Sequence, residues 1–338
     1  MAERAEKNYY DILEVSPRAK VEVISASYTA LRRFYAGDIQ RVEELSKARK
    51  VLLDPTTRQE YDNQNRLEGM IVGNYRILEL LREDDSVRTY KAEQVLAKET
   101  VTLKQCTGVS PEDDATLITE AKSVWNLRHY GLPIMRDLFR LDDGSLALVQ
   151  SFIPGKSIEQ EVKRLGSIDC ESICWIADRV LNALRILHIN NVVHSGLNPE
   201  IIIVEDEDHL ASIVDFRFSV IDPLRNPGSK GAFAYFAAPE QLQDPSDPLK
   251  LPLLPQTDYY SLGKVMIYGL TGNLEMVEKN KLPDSTPKPL MEFIDSLTRV
   301  DVRERPNIEE DLLGLLEKVR EKSFGRARSN MKALTSGS

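Results

Sequence analysis

His194-Ser195-Gly196-Leu197-Asn198-Pro199-Glu200-Ile201 is the stretch of this 338-residue chain on which its reading turns. It follows a long segment, Ile173 to Leu187, whose apolar residues recur at helical spacing. Asp215-Phe216-Arg217 begins 19 residues after Gly196, and Ala238-Pro239-Glu240 ends 25 residues after Asp215. Within the loop, Gly196 has no side chain to orient a hydroxyl, and Ile201 has no lone pair to offer a metal.

In this order and at these spacings the motifs resemble a protein kinase over roughly residues 74 to 320. A kinase catalytic loop reads His-Arg-Asp-Leu-Lys-Pro-Glu-Asn, in which the aspartate accepts the substrate hydroxyl proton and the asparagine holds a second magnesium ion. Gly196 and Ile201 stand in those two places, so the resemblance implies a kinase scaffold with no catalytic residue. Other positions are kept. Glu240 and Arg305, the latter in Arg303-Glu304-Arg305-Pro306, match the family's buried ion pair beneath the activation segment. Asp258, in Asp258-Tyr259-Tyr260-Ser261-Leu262-Gly263, matches the aspartate that anchors the loop backbone. His194 matches a histidine that packs structurally.

The nucleotide side is mixed. Lys104 in Val101-Thr102-Leu103-Lys104 matches the strand lysine that pairs with phosphates, and Glu120 matches the helix glutamate that positions it. Asp215 matches the magnesium-holding aspartate. These three are residual ATP-site positions, but the glycine-rich phosphate loop is missing. Arg82, Asp84 and Val87 take its glycine places in Arg82-Glu83-Asp84-Asp85-Ser86-Val87-Arg88-Thr89, and three carboxylates there are expected to repel a triphosphate. Arg217 replaces a glycine, and its guanidinium either pairs with Asp215 or Glu120 in the metal's place or points to solvent. Ser195 replaces the arginine that reads activation-loop phosphorylation. Ser195, His194 and Asp215 contain the letters of a hydrolytic triad, but adjacent side chains diverge and the Gly-x-Ser-x-Gly elbow is absent.

Ahead of this region the chain reads as short helices. Ile24, Tyr28, Leu31 and Tyr35 share one face, as do Val42, Leu45, Ala48 and Leu52, with Ala36-Gly37-Asp38 as the turn and Asp54-Pro55 as a stop. Tyr9-Tyr10-Asp11-Ile12-Leu13-Glu14-Val15 and Ala48-Arg49-Lys50-Val51-Leu52-Leu53-Asp54-Pro55, with Arg58 and Tyr61-Asp62, resemble a J-domain. That family's His-Pro-Asp tripeptide is absent, and at most Asp38 survives of it, so the resemblance implies the fold without chaperone stimulation. Arg32, Arg33, Lys47, Arg49 and Lys50 form either a positive docking face or a solvated helix surface.

Composition narrows the class. A net charge of −9 argues against a general nucleic-acid binder. The sequence holds no apolar run long enough for a membrane span, and its charged start lacks a secretory core, so a cytoplasmic location is expected. Cys106, Cys170 and Cys174 suit core packing, because no ligand set completes a zinc site. The expected architecture is α+β. Residues 1–62 form a J-like helical module, 63–71 a linker, 72–152 an antiparallel β N-lobe and 153–322 a helical C-lobe, with 323–338 as a flexible tail.

The expected function is a non-catalytic pseudokinase scaffold or chaperone-like assembly factor that binds protein partners, with no metal and no cofactor. The segment Gln241 to Pro255, carrying five Leu and four Pro, is the candidate docking loop. The alternative is an atypical Ser/Thr-type protein kinase, or a nucleotide-binding switch with weak or no phosphotransfer, retaining residual ATP and magnesium binding.

Overall fold

The computed structural model describes residues 9–15, 19–64, 67, 69–205, 207–226, 233–244, 251–307, 310–326 and 334. They fall into two compact units, Met1–Leu117 with Met135–Phe152, and Ile118–Ile134 with Ile153–Ser338.

The first unit opens with four helices: α1 (Tyr9–Ile12), α2 (Val21–Phe34), α3 (Ile39–Leu53) and α4 (Pro55–Gln64). Ile24, Tyr28, Leu45, Ala48 and Leu52 close with Tyr10, Ile12 and Leu13 into one apolar core, as the helical spacing demands. Asp38 caps α3 by accepting from the Arg41 amide at 3.0 Å. Pro55 does end α3, but it also starts α4, where a missing N–H is harmless. Arg58 Nε donates to the Tyr10 hydroxyl at 2.9 Å, and Tyr9 stacks on Tyr61 at 4.5 Å, so the first and last helices hold each other. Arg49 and Lys47 lie over the rings of Tyr28 and Tyr9, which uses part of the expected positive face for packing.

The same unit carries a six-stranded antiparallel sheet with β1 (Ile71–Val72), β2 (Tyr75–Glu83), β3 (Val87–Gln94), β4 (Thr100–Cys106), helix α5 (Pro111–Val124), β5 (Met135–Arg140) and β6 (Leu146–Ser151). Its strand order is β1-β2-β3-β4-β6-β5. Alternation places Tyr75, Ile77, Tyr90, Ala92, Val101, Leu103, Ala147 and Val149 in one core. Helix α5 passes from this unit to the second within its own length.

The second unit is mainly helical: β7 (Lys156–Ser157), α6 (Ile158–Leu165), α7 (Cys170–Ile189), β8 (Val192–Val193), β9 (Ile202–Glu205), β10 (Leu210–Ile213), β11 (Val220–Ile221), α8 (Pro255–Thr271), α9 (Leu274–Glu278), α10 (Lys288–Leu297) and α11 (Leu312–Phe324). Helices α7 and α8 bury residues on most of their faces and form the centre of the unit. Asp169 caps α7 from two backbone amides, so the helix starts where the sequence supplies an acceptor. Short pairs β8–β11 and β9–β10 hold the loop between β8 and β9 on a rigid base.

Two expectations meet the structure differently. The chain continues as α11 to Phe324, after which Arg326 forks onto Glu171 at 2.8 and 2.6 Å and Leu334 is buried. Residues 327–333 and 335–338 of the expected tail lie outside the described residues. Residues 245–250 of the candidate docking loop also lie outside them, while Leu253 packs with Val193 and Val220. Cys174 is buried, and burial pushes its thiol well above the ordinary range, an inert packing thiol. No helix among the described residues is long and apolar enough to cross a membrane.

Candidate functional site

The loop after β8 is fastened by one carboxylate. Asp258, buried on α8, accepts from the backbone amides of His194 at 2.9 Å and Ser195 at 2.8 Å, and from His188 Nε2 at 2.8 Å. A carboxylate accepting several donors suits burial, because each lone pair that left water regains a partner. Ser195 takes φ of 50°, a left-handed conformation that costs a non-glycine residue energy and that the Asp258 bonds hold in place. The Ser195 hydroxyl donates to the Phe218 carbonyl, not to His194, so no nucleophile forms there. His194 is buried with its ring edge-on to Phe216 at 5.0 Å, and its Nδ1 accepts the Gly196 amide at 3.2 Å. Gln241 Nε2 donates to the Ser195 carbonyl at 2.7 Å, and Asn198 closes the loop on itself through the Gly196 carbonyl and the Glu200 amide.

Gly196 lies under an aromatic pair. Phe218 and Phe233 meet edge to face at 5.4 Å, and a Cβ added at Gly196 would stand 3.3 Å from Phe218 and 3.4 Å from Phe233. The place expected of a catalytic base therefore has little room for a side chain. Ile201 is buried, and its side chain presents no oxygen.

Asp215 and Arg217 resolve the two readings left open by the sequence. Arg217 Nε and Nη2 donate to the two Asp215 carboxylate oxygens, each at 2.7 Å, and both side chains are over nine-tenths buried. This planar two-point pairing is the geometry that a guanidinium and a carboxylate share. Asp215 itself takes φ of 70°, a second strained backbone position beside the loop. The residues present do not fit a divalent cation. Asp215 is engaged by a fixed positive charge, Ile201 supplies no second oxygen, and no group of three His, Cys, Asp or Glu able to hold a metal occurs among the described residues.

Lys104 is buried on β4, registered between Thr89 of β3 and Leu148 of β6. Glu120 is fully buried on α5. The turn between β2 and β3 differs from expectation. Glu83 pairs with Arg88 at 2.8 Å, Asp84 pairs with Arg82 at 3.3 Å, and Asp84 Oδ1 also accepts the amides of Ser86 and Val87. Two of the three carboxylates thus meet arginines within the hairpin, so the turn is less acidic than its three carboxylates alone imply. Counting letters gave three negative charges; geometry pairs two of them with arginines on the flanking strands.

Beneath the loop, Arg305 grips Glu240 in a second fork, Nη1 to Oε1 at 2.7 Å and Nη2 to Oε2 at 2.9 Å. Thr257 adds a donor to Glu240, while Arg305 donates to the carbonyls of Arg299, Gln256 and Val300 and covers the Tyr260 ring. Sequence reading missed His188 and the Phe218–Phe233 pair. His188 lies six residues before His194 on a helical face that reads as core, and Phe233 reaches Gly196 only through the fold.

A sequence model of the family described as "Protein kinase domain" matches residues 85–335. The chain is 27% identical over 258 residues to serine/threonine-protein kinase pkn3 of Myxococcus xanthus, covering 73% of this chain and 47% of that protein. It is 29% identical over 143 residues to a probable cAMP-dependent protein kinase catalytic subunit of Encephalitozoon cuniculi, covering 42% of each. It is also 27% identical to serine/threonine-protein kinase F of Synechocystis sp., over 50% of this chain and 36% of that one. The chain thus spans less than half the length of these curated relatives.

These likenesses overturn two expectations, that the chain is a non-catalytic scaffold or assembly factor and that it is not an enzyme. Both expectations came from Gly196, Ile201, the missing glycine-rich loop and Arg217, and the kinase match rests on about three quarters of the chain. The family model begins at residue 85, after the four amino-terminal helices.

Proposed function

Because the chain belongs to the protein kinase domain family, we propose that it is an atypical Ser/Thr-type protein kinase that binds a nucleoside triphosphate and transfers its phosphoryl group weakly. The observation that carries this reading is the kinase-domain match over residues 85–335, which includes Lys104, Glu120 and Asp215, all three buried in the structure. These three hold the positions that serve nucleotide phosphates in the family.

In the family the lysine matched by Lys104 pairs with phosphates, and the glutamate matched by Glu120 positions it. Positioning and electrostatics supply much of a phosphoryl-transfer rate, so transfer persists without a base at Gly196, but slowly. A nucleotide-binding switch is the second reading, favoured by the packing of Phe233 over Gly196. The helices from Tyr9 to Gln64 are read as a J-like module whose Asp38 serves as a helix cap, with protein as the substrate and partner class and the cytoplasm as the location.

Thermal melting with and without ATP, together with radiolabelled phosphate transfer to a generic protein substrate, tests this reading. An upward shift with ATP that is lost in Lys104→Ala, with slow incorporation on Ser or Thr, is the expected result. No shift at millimolar ATP and no incorporation would refute it.

A further inference from the structure

The disagreement between the residues of this site and a divalent metal has a chemical alternative in the same place. A nucleotide's phosphates need a positive counter-charge where they meet a carboxylate such as Asp215, and a bound magnesium ion ordinarily provides it. Here Asp215 is paired in a two-point fork with Arg217, whose guanidinium carries its charge at every working pH. The fork is over nine-tenths buried, and the guanidinium also lies over the Phe218 ring at 5.6 Å, so three contacts hold it in one orientation. Ile201 leaves the second ligand position apolar.

We propose that this chain takes a nucleoside triphosphate without a divalent cation, the Arg217 guanidinium acting as the built-in counter-charge beside Asp215. The inference rests on the nucleotide-binding reading above. A magnesium ion entering the site has to displace a paired guanidinium or lie against it, and like charges at close range oppose both. Phosphate oxygens, in contrast, meet an Asp215 whose charge is already neutralised. Arg217→Gly removes the guanidinium, exposes Asp215 and makes nucleotide affinity depend on the metal.

The experiment titrates the full chain with a fluorescent N-methylanthraniloyl ATP in excess EDTA and again in millimolar magnesium chloride. Wild type, Arg217→Gly and Arg217→Lys are compared, with circular dichroism reporting that each is folded. For the wild type the two affinities agree within about twofold, whereas Arg217→Gly binds at least about tenfold more tightly with magnesium than without, a difference of about 1.4 kcal/mol. Arg217→Lys keeps a charge without the fork and still binds in EDTA.

Wild-type binding that requires magnesium would overturn the inference and leave the nucleotide reading intact. Metal-independent binding by Arg217→Gly would show that Arg217 is not the counter-charge. No binding by wild type or Arg217→Gly in either condition would overturn the nucleotide reading and the inference with it. If Arg217→Gly fails to fold, the wild-type pair of titrations and Arg217→Lys decide the matter.

Discussion

Two buried arginine–carboxylate forks in the second unit have nearly the same chemistry and opposite consequences. Arg305 and Glu240 lie 65 residues apart, and their fork gathers Thr257, Gln256, Arg299 and Val300 into one network. Arg217 and Asp215 lie two residues apart, and their fork closes a short strained turn. The first joins distant segments, so its loss strands a charge deep in the unit. The second is local, so its loss changes what the site accepts more than whether the unit folds.

The largest expected effect is Glu240→Ala. It leaves Arg305 buried without its partner and is expected to destabilise by about 3–5 kcal/mol in denaturant unfolding. Arg217→Gly, measured in EDTA, is expected to cost less, about 1–2 kcal/mol, because the fork joins residues only two apart and holds no distant segment. Equal losses in the two variants would erase the contrast between the forks.

Gly196→Asp sharpens the comparison from the catalytic side. Its Cβ enters at 3.3–3.4 Å from Phe218 and Phe233, and overpacking of this degree is expected to destabilise by about 1 kcal/mol. Phosphate transfer is expected to rise by less than about tenfold in the single variant, and by about a hundredfold when Phe233→Ala makes room for the new base. An equal gain in the single variant would show that the aromatic pair does not restrict the loop.

The smallest effect is on pH. Burial pushes His129 below its ordinary value, and its Nδ1 accepts the Gly131 amide at 3.1 Å, which only the neutral ring can do. The folded value is the lower one, so the stabilisation is fully present above about pH 6.5 and is lost as pH falls toward the folded value. The unfolding midpoint is expected to drop between about pH 7.5 and 5.5 in wild type, and to drop less in His129→Gln. Identical pH profiles would assign the dependence to other groups.

Much of the fold was legible in the sequence, because periodicity reports which face is buried. Ile24, Tyr28, Leu45 and Leu52 marked a helical core, and Tyr75 to Lys104 marked three strands, before any contact was known. The turn between β2 and β3 was less legible. Arg82-Glu83-Asp84-Asp85 read as a run of negative charge, but β2 and β3 pair across the turn and bring Arg88 to Glu83. The functional expectation failed for a related reason. Gly196, Ile201, the missing glycine-rich loop and Arg217 were weighed as decisive, while the kinase match extends over residues 85–335.

The sequence by itself determined the order of the motifs, the helix and strand periods, the presence of Lys104, Glu120 and Asp215, and the absence of a side chain at Gly196. These are properties of residue type and spacing along one dimension. Only the tertiary structure decided that Arg217 turns to Asp215, that Phe233 covers Gly196, and that Asp258 gathers His188, His194 and Ser195. A charged or aromatic side chain has several partners within reach of its sequence. Burial selects the arrangement in which every charge is met, and that selection is made in three dimensions.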